Sequence, residues 1–330
     1  MTLRLKQNWL WDFWHVWHGE DCHLFYVQAP RSLGSEALRH HNATIGHAIS
    51  RDLRNWTVVN DALHPGSHGE WDDLATWTGS VIGHDGRWFM LYSGINRSEG
   101  GLVERIGLAT SADLFVWQKE PANPILEADP RWYELLDLRS WYEQAWRDPW
   151  LFQADGSFHA LITARIRSGA PDNRGVIGHA RSSNLREWEV LPPLSAPGGF
   201  GHLEVPQLAQ AGDRFVLLFS CASRHIAKSR GGSVEQHPQT GTYCLVADHA
   251  LGPYDVARSG LLVGDDIGSF YGGKLIEDRH ARLRFMAFSS YSPEGHFVGE
   301  LSDPFPVELE DGSQPRVEMP SDLRRTRPFR

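Results

Sequence analysis

The sequence predicts an all-β fold, a single five-bladed β-propeller, on three observations. One motif recurs along the chain, an apolar hairpin pattern stands ahead of every copy, and helical patterning is nearly absent. The motif first reads Gly46-His47-Ala48-Ile49-Ser50-Arg51-Asp52-Leu53-Arg54-Asn55-Trp56. It returns as Gly107-Leu108-Ala109-Thr110-Ser111-Ala112-Asp113-Leu114-Phe115-Val116-Trp117 and as Gly178-His179-Ala180-Arg181-Ser182-Ser183-Asn184-Leu185-Arg186-Glu187-Trp188. The spacing is roughly 60 to 70 residues, within the range of propeller blades and other repeats. Degenerate copies follow at Tyr243–Asp248 and Val298–Asp303. In each, a short strand enters a Ser/Asp turn, and an aromatic residue opens the next strand.

The hairpins come in order. Phe13–Gln28 turns at Gly19-Glu20-Asp21, Gly79–Ser93 at Asp85-Gly86, and Trp150–Ala164 at Asp155-Gly156. Val205–Ser220 turns at Gly212-Asp213, and Gly273–Ser289 at Asp278-Arg279. Five units of four strands account for residues 1–311 as one propeller domain, with 312–330 as a C-terminal tail. The best helical candidate is Trp132–Leu138, a short stretch in the long insertion before Asp148. Trp56, Trp117 and Trp188 belong to the repeat itself and are expected in the core between blades.

Composition narrows the function. Apolar residues make up 41% and charged residues 22%, ordinary for a soluble globular chain. A net charge of −9 argues against a nucleic-acid partner, whose phosphates need a basic face. Cys22, Cys221 and Cys244 are odd in number and lack metal-ligand spacing, which suits a reducing compartment. The first residues lack a signal-peptide pattern, and no run approaches the roughly 20 apolar residues of a membrane span. The expectation is a cytoplasmic protein with no membrane partner. The seventeen histidines show no metal spacing, and no Gly-rich phosphate loop appears, so neither metal nor cofactor is expected.

The innermost strand of each blade lines the central channel, and the residues that open it meet at one mouth. Asp12, Asp148 and Glu204 each precede an apolar, strand-like run and are placed at the start of the innermost strands of blades one, three and four. Three carboxylates in one small cavity repel each other, which pushes at least one pKa up. That is costly as packing but suits glycoside hydrolysis, which needs a protonated acid and an ionised partner facing one bond. Arg147 beside Asp148 is expected to keep that carboxylate ionised while it contacts sugar hydroxyls. Trp11, Trp14 and Trp77 are assigned to the mouth as stacking surfaces for a sugar ring, and His202 to a substrate contact. The implied partner is a small carbohydrate.

These residues resemble the invertase and levansucrase type of fructosidase, glycoside hydrolase families 32 and 68, along nearly the whole propeller. Trp11-Asp12-Phe13-Trp14 resembles the levansucrase nucleophile motif, and His23-Leu24-Phe25-Tyr26-Val27-Gln28 the invertase strand that follows it. Ile45–Trp56 matches an invertase stretch, and Trp77-Thr78-Gly79-Ser80 a segment of both branches. Arg147-Asp148-Pro149 is the family's Arg-Asp-Pro triplet, Glu204-Val205-Pro206 resembles its acid/base motif, and Asp266–Tyr271 its fifth-blade segment. The resemblance implies a retaining mechanism on β-fructofuranosides, with Asp12 as nucleophile, Glu204 as acid/base and Asp148 as transition-state stabiliser. It also implies that Gln28, Thr78, Arg147 and Tyr271 contact substrate. Two features depart from the pattern. Trp11 and Phe13 flank Asp12 where invertases carry Asn-Asp-Pro-Asn-Gly, and the repeats leave no room for the C-terminal β-sandwich of family 32.

Three rivals share the scaffold. An inverting arabinanase or xylosidase propeller also uses two Asp and one Glu, but the Arg-Asp-Pro triplet argues against it. A phosphorylase would need a basic cluster that Arg147 alone does not make. A non-catalytic sugar-binding propeller would use the carboxylates only to bind hydroxyls.

Overall fold

The computed structural model describes residues 3–230, 238–309 and 314–319, folded as five antiparallel sheets around a central channel. Blade one contains β1 (Asn8–His18), β2 (Asp21–Pro30), β3 (Thr44–Ser50) and β4 (Thr57–Val58). Blade two contains β5 (Ala75–His84), β6 (Arg87–Ile95), β7 (Arg105–Ser111) and β8 (Gln118–Lys119). Blade three contains β9 (Trp146–Ala154), β10 (Ser157–Arg165), β11 (Gly175–Ser182) and β12 (Glu189–Leu191). Blade four contains β13 (Glu204–Ala211), β14 (Arg214–Cys221), β15 (Thr240–Ala247) and β16 (Gly260–Asp265). Blade five contains β17 (Phe270–Glu277), β18 (Leu283–Tyr291), β19 (Phe297–Leu301), β20 (Phe305–Glu308) and β21 (Arg316–Val317).

All five expected hairpins form. In blade five the third strand is split, with β19 and β20 pairing different stretches of β18. The described part of the tail adds β21 to β20, and the rest of 312–330 lies outside the described residues. Leu301 N–H donates to Leu3 O at 3.1 Å, so the start of the chain closes onto the last blade.

The repeat is a turn device. Asp52 Oδ1 accepts from the backbone N–H of Arg54 and Asn55, at 2.8 and 2.7 Å. Asp113 and Asn184 accept from the equivalent N–H pairs, all at 2.9 Å. This Asx geometry holds the intervening Leu53, Leu114 and Leu185 at positive φ with their side chains buried. Trp117 and Trp188 then donate Nε1–H to the carbonyls of Leu114 and Leu185. Trp56 and Trp117 pack on the cluster joining blades five, one and two, and Trp188 on the cluster joining blades two and three, as expected. Two further apolar clusters fill the gaps between blades three and four and between four and five. The core therefore lies between blades, and the channel is left for polar groups.

Trp132–Leu138 is not helical. Tyr133 bridges to Ile166, and Glu134 is buried, accepting from Arg165 Nε at 2.6 Å and from Arg174. Those two arginines anchor the segment at Glu134. No described helix is long and apolar enough to cross a membrane. All three cysteines are buried and unpaired.

Candidate active site

Every innermost strand carries one extra residue at the same height. In β1 the register skips Asp12, and in β5 it skips Thr78. In β9 it skips Asp148 and Pro149 against one residue of β10. In β13 it skips Val205 and Pro206, and in β17 Gly272 and Gly273. These are β-bulges, which re-aim side chains and tolerate proline because a ladder hydrogen bond is already missing. Asp12, Asp148, Val205 and Gly272 take φ of 33°, 56°, 52° and 61° at the bulges. Consecutive strand side chains normally face opposite sides. The bulge breaks that alternation and lets Arg147 and Asp148 serve the same cavity. The carboxylates thus sit at bulges rather than uniformly at strand starts: Glu204 opens β13, whereas Asp12 lies well inside β1.

The structure brings Asp12, Asp148 and Glu204 together. Asp12 Oδ2 accepts from Thr78 Oγ1 at 3.2 Å, while its buried Oδ1 has no hydrogen-bond partner. Burial, then the neighbouring Asp148 and Glu204, push the Asp12 pKa up to about 7. Asp148 Oδ2 accepts from Thr163 Oγ1 at 2.8 Å and from the Val205 N–H at 3.2 Å, and burial moves its pKa up as well. The Glu204 side chain is 20% exposed, against 4% for Asp148. Burial alone would raise its pKa, but the surrounding donors outweigh burial and hold it well below the usual carboxylate range. Arg147 Nη2 donates to Oε1 at 2.7 Å, and the Tyr271 hydroxyl donates to Oε2. His202 Nε2 lies 3.6 Å from Oε2, yet burial keeps that imidazole neutral, so Arg147 and Tyr271 carry the effect.

Arg147 serves a different carboxylate from the one expected. Its Nη1 donates to Glu104 at 3.0 and 3.1 Å and to Glu143 at 2.9 Å, and its Nη2 to Glu204. Only Nε approaches Asp148, at 3.4 Å. With 7% exposure it holds the carboxylates in place and has little surface for sugar. His202 is also corrected, because it is fully buried. Arg147 Nη2 points at its Nδ1 (3.4 Å), so Nδ1 accepts and Nε2 carries the proton donated to His225 Nδ1 at 2.8 Å. His202, Glu204 and His225 place ligand-type atoms within 4.8 Å of one another. The guanidinium on His202 makes that set a hydrogen-bond relay that disfavours a second cation.

Trp14 is corrected to core: it is fully buried and stacks on Phe25 at 6.1 Å. Gln28 is engaged at both ends, accepting from Asn8 Nδ2 at 2.8 Å and donating to Asp61 Oδ1 at 2.8 Å, so its amide is spent on the scaffold. Trp77 is half-buried beside His40, whereas Trp11, 3% exposed, packs into the cluster joining blades five, one and two and, like Trp14, has little surface for a sugar. The His40 ring meets the edges of Trp11 and Trp77 at 5.7 and 5.9 Å, and Trp77 Nε1 donates to the His40 carbonyl at 2.7 Å. Thr78 and Tyr271 reach the carboxylates themselves rather than standing apart as sugar contacts.

Sequence reasoning missed Glu104, Glu143, His40, Tyr142, His225 and Lys274. Tyr142 and His225 face each other at 5.8 Å beside His202, on the Glu204 side of the cavity. The insertion before Asp148 carries Tyr142 and Glu143 there, held by Arg165 over the Trp141 ring at 3.7 Å. None of these residues stands in a repeat position, and the insertion's length was the one signal that could have drawn attention to it.

Three carboxylates clustered at the mouth of a five-bladed propeller fit the paired-carboxylate chemistry of glycoside hydrolysis. The chain belongs to glycosyl hydrolase family 32, whose N-terminal domain model matches residues 6–297. It is 28% identical over 286 residues to a cell wall β-fructofuranosidase of Pisum sativum, covering 82% of this chain and 48% of that one. The chain thus spans about half the length of that curated relative. Among solved structures it resembles an inulosucrase from Halalkalicoccus jeotgali bound to kestose, with a TM-score of 0.77 and 22% identity over 95% of this chain and 87% of that one. It also resembles a Bombyx mori β-fructofuranosidase mutant in complex with sucrose, with a TM-score of 0.69 and 19% identity over 96% and 64% of the two chains. At these identities the structural likeness speaks to the fold.

Proposed function

We propose that the chain is a retaining glycoside hydrolase acting on β-fructofuranosides, either sucrose-like or short fructo-oligosaccharides, with transfer to an acceptor sugar as a side reaction. The observation that carries the reading is the unequal treatment of the three carboxylates. Asp12 keeps a buried, unpartnered Oδ1, Asp148 is fixed by two donors, and Glu204 is partly exposed and served by Arg147 and Tyr271.

In this reading Asp12 Oδ1 attacks the anomeric carbon while the glycosidic C–O bond breaks. Glu204 gives its proton to the departing oxygen, and a fructosyl ester forms on Asp12. Water then attacks that ester, Glu204 takes the proton from it, and Asp12 leaves as carboxylate. Asp148 offers charge to the oxocarbenium-like transition state and to ring hydroxyls. Burial and the neighbouring carboxylates keep the proton on Asp12 while Arg147 and Tyr271 hold Glu204 ionised, the reverse of what attack requires. The productive form is therefore the tautomer with that proton on Glu204, and activity lasts while the cluster retains one proton, up to pH about 7.

The test is a panel of sucrose, inulin- and levan-type oligosaccharides and aryl pentofuranosides, read by chromatography alongside Asp12→Asn and Glu204→Gln. Fructose release lost in both variants is expected. Pentose release, or sugar binding with no release, would overturn the reading.

A further inference from the structure

One cation lies inside the channel and none of the chemistry above uses it. Lys274, on β17 just after the Gly272-Gly273 bulge, is 1% exposed. Its Nζ donates to the carbonyl of Val205 at 2.6 Å and stands 5.6 Å from the Trp150 ring centre. A buried ammonium is expensive to desolvate and persists only opposite negative charge. Its electrostatic partners are Asp12 first and Asp148 second, each of which favours the ammonium form against burial.

Val205 is the hinge of the acid/base bulge. It takes φ +52°, an uncommon conformation for a β-branched residue, its N–H holds Asp148, and it directly follows Glu204. Lys274 therefore grips the one backbone unit that links two of the three carboxylates, and its charge acts on the third. Gly272, two residues before Lys274, lets Asp12 come close to β17, because a Cβ there would stand 3.0 Å from Asp12 Oδ1.

We propose that Lys274 is a positioning residue, the buried counter-charge that favours the ionised form of Asp12 and so biases the cavity's proton toward Glu204. This rests on the retaining reading above. The groups that act on Asp12 and Lys274 are few. Asp148 and Glu204 oppose ionisation of Asp12, while Thr78 and Lys274 favour it. Arg39 and Tyr271 feel the Asp12 charge from the rim and from blade five, and His15 on β1 feels Lys274. Burial and Lys274 together lower the His15 pKa to about 4, so that imidazole is neutral and adds no competing charge.

The sign follows. Without the ammonium, Asp12 holds its proton to higher pH, and Glu204 holds that proton less of the time. Each unit that Asp12 rises cuts the productive tautomer roughly tenfold. In Lys274→Met and Lys274→Gln, the fall of kcat/KM at high pH should move up by about one unit while the plateau drops about tenfold. Lys274→Arg should hold the limb near its original pH. The Asp12 carboxyl, followed by carbon-13 NMR of aspartate-labelled protein and assigned by its loss in Asp12→Asn, should titrate higher in both neutral variants. Equal NMR titration in wild type and the neutral variants would overturn the proposal, as would a plateau loss with an unmoved limb. Wild-type protein that releases no fructose would instead overturn the retaining reading, and the NMR titration would still decide the role of Lys274.

Discussion

At the scale of the residue, small differences in burial separate function from support. Trp14 and Trp77 are both tryptophans near the nucleophile, yet Trp14 is enclosed against Phe25 and Trp77 lines the mouth with His40. Trp77→Ala should raise KM for the sugar several-fold with the melting temperature nearly unchanged. Trp14→Ala should instead lower the melting temperature, since emptying a large aromatic site in a core costs about 3–5 kcal/mol. Steady-state kinetics and thermal melts on the two variants check this, and a KM effect confined to Trp14→Ala would reverse the assignment. The same distinction governs Arg147 and His202. The chemistry of each residue type was legible in the sequence, but whether its polar atoms face the cavity or another side chain depends on partners far away in the chain. Glu104, 43 positions before Arg147, is the clearest case.

At the scale of the element, the bulge is what turns a strand into a site, and the sequence does mark it. Pro149 and Pro206 stand within otherwise apolar strand runs, and Gly272-Gly273 occupies the matched place in blade five. A proline inside a strand signals a missing ladder hydrogen bond. The blades also differ in a way the repeat predicts once the register is known. Blade one stacks His23 on His47 with ring nitrogens 3.0 Å apart, and blade three stacks His159 on His179 at 2.9 Å. Blade two has Phe89 and Leu108 at the corresponding places. Burial lowers the pKa of all four imidazoles, to about 3 for His47 and about 4 for His179. The unfolded chain takes up protons near pH 6.5 and the native state does not, so stability is complete above that pH and declines towards pH 4. The double variant His23→Phe with His47→Leu, which copies blade two, should lose less melting temperature between pH 7 and pH 5 than the wild type. Parallel melting curves for the two proteins would contradict that origin of acid sensitivity.

At the scale of the whole molecule, five blades deliver their innermost bulges to one mouth, and the apolar clusters between blades fix how far apart those bulges stand. Ring architecture, blade count and the three carboxylates were readable because each is written in a repeat. The insertion before Asp148, the rim residue His40 and the buried Lys274 were not, because each occurs once and acquires meaning only when the ring closes. The central claim is that this ring presents Asp12 as a nucleophile to one face of a fructosyl group while Glu204 serves the leaving group. The most direct test is methanolysis of sucrose or kestose, with the methyl fructoside product analysed by proton and carbon NMR, since a glycoside does not mutarotate. The account predicts methyl β-fructofuranoside from the wild-type protein and none from Asp12→Asn. Formation of the α-anomer, or undiminished product from Asp12→Asn, would contradict it.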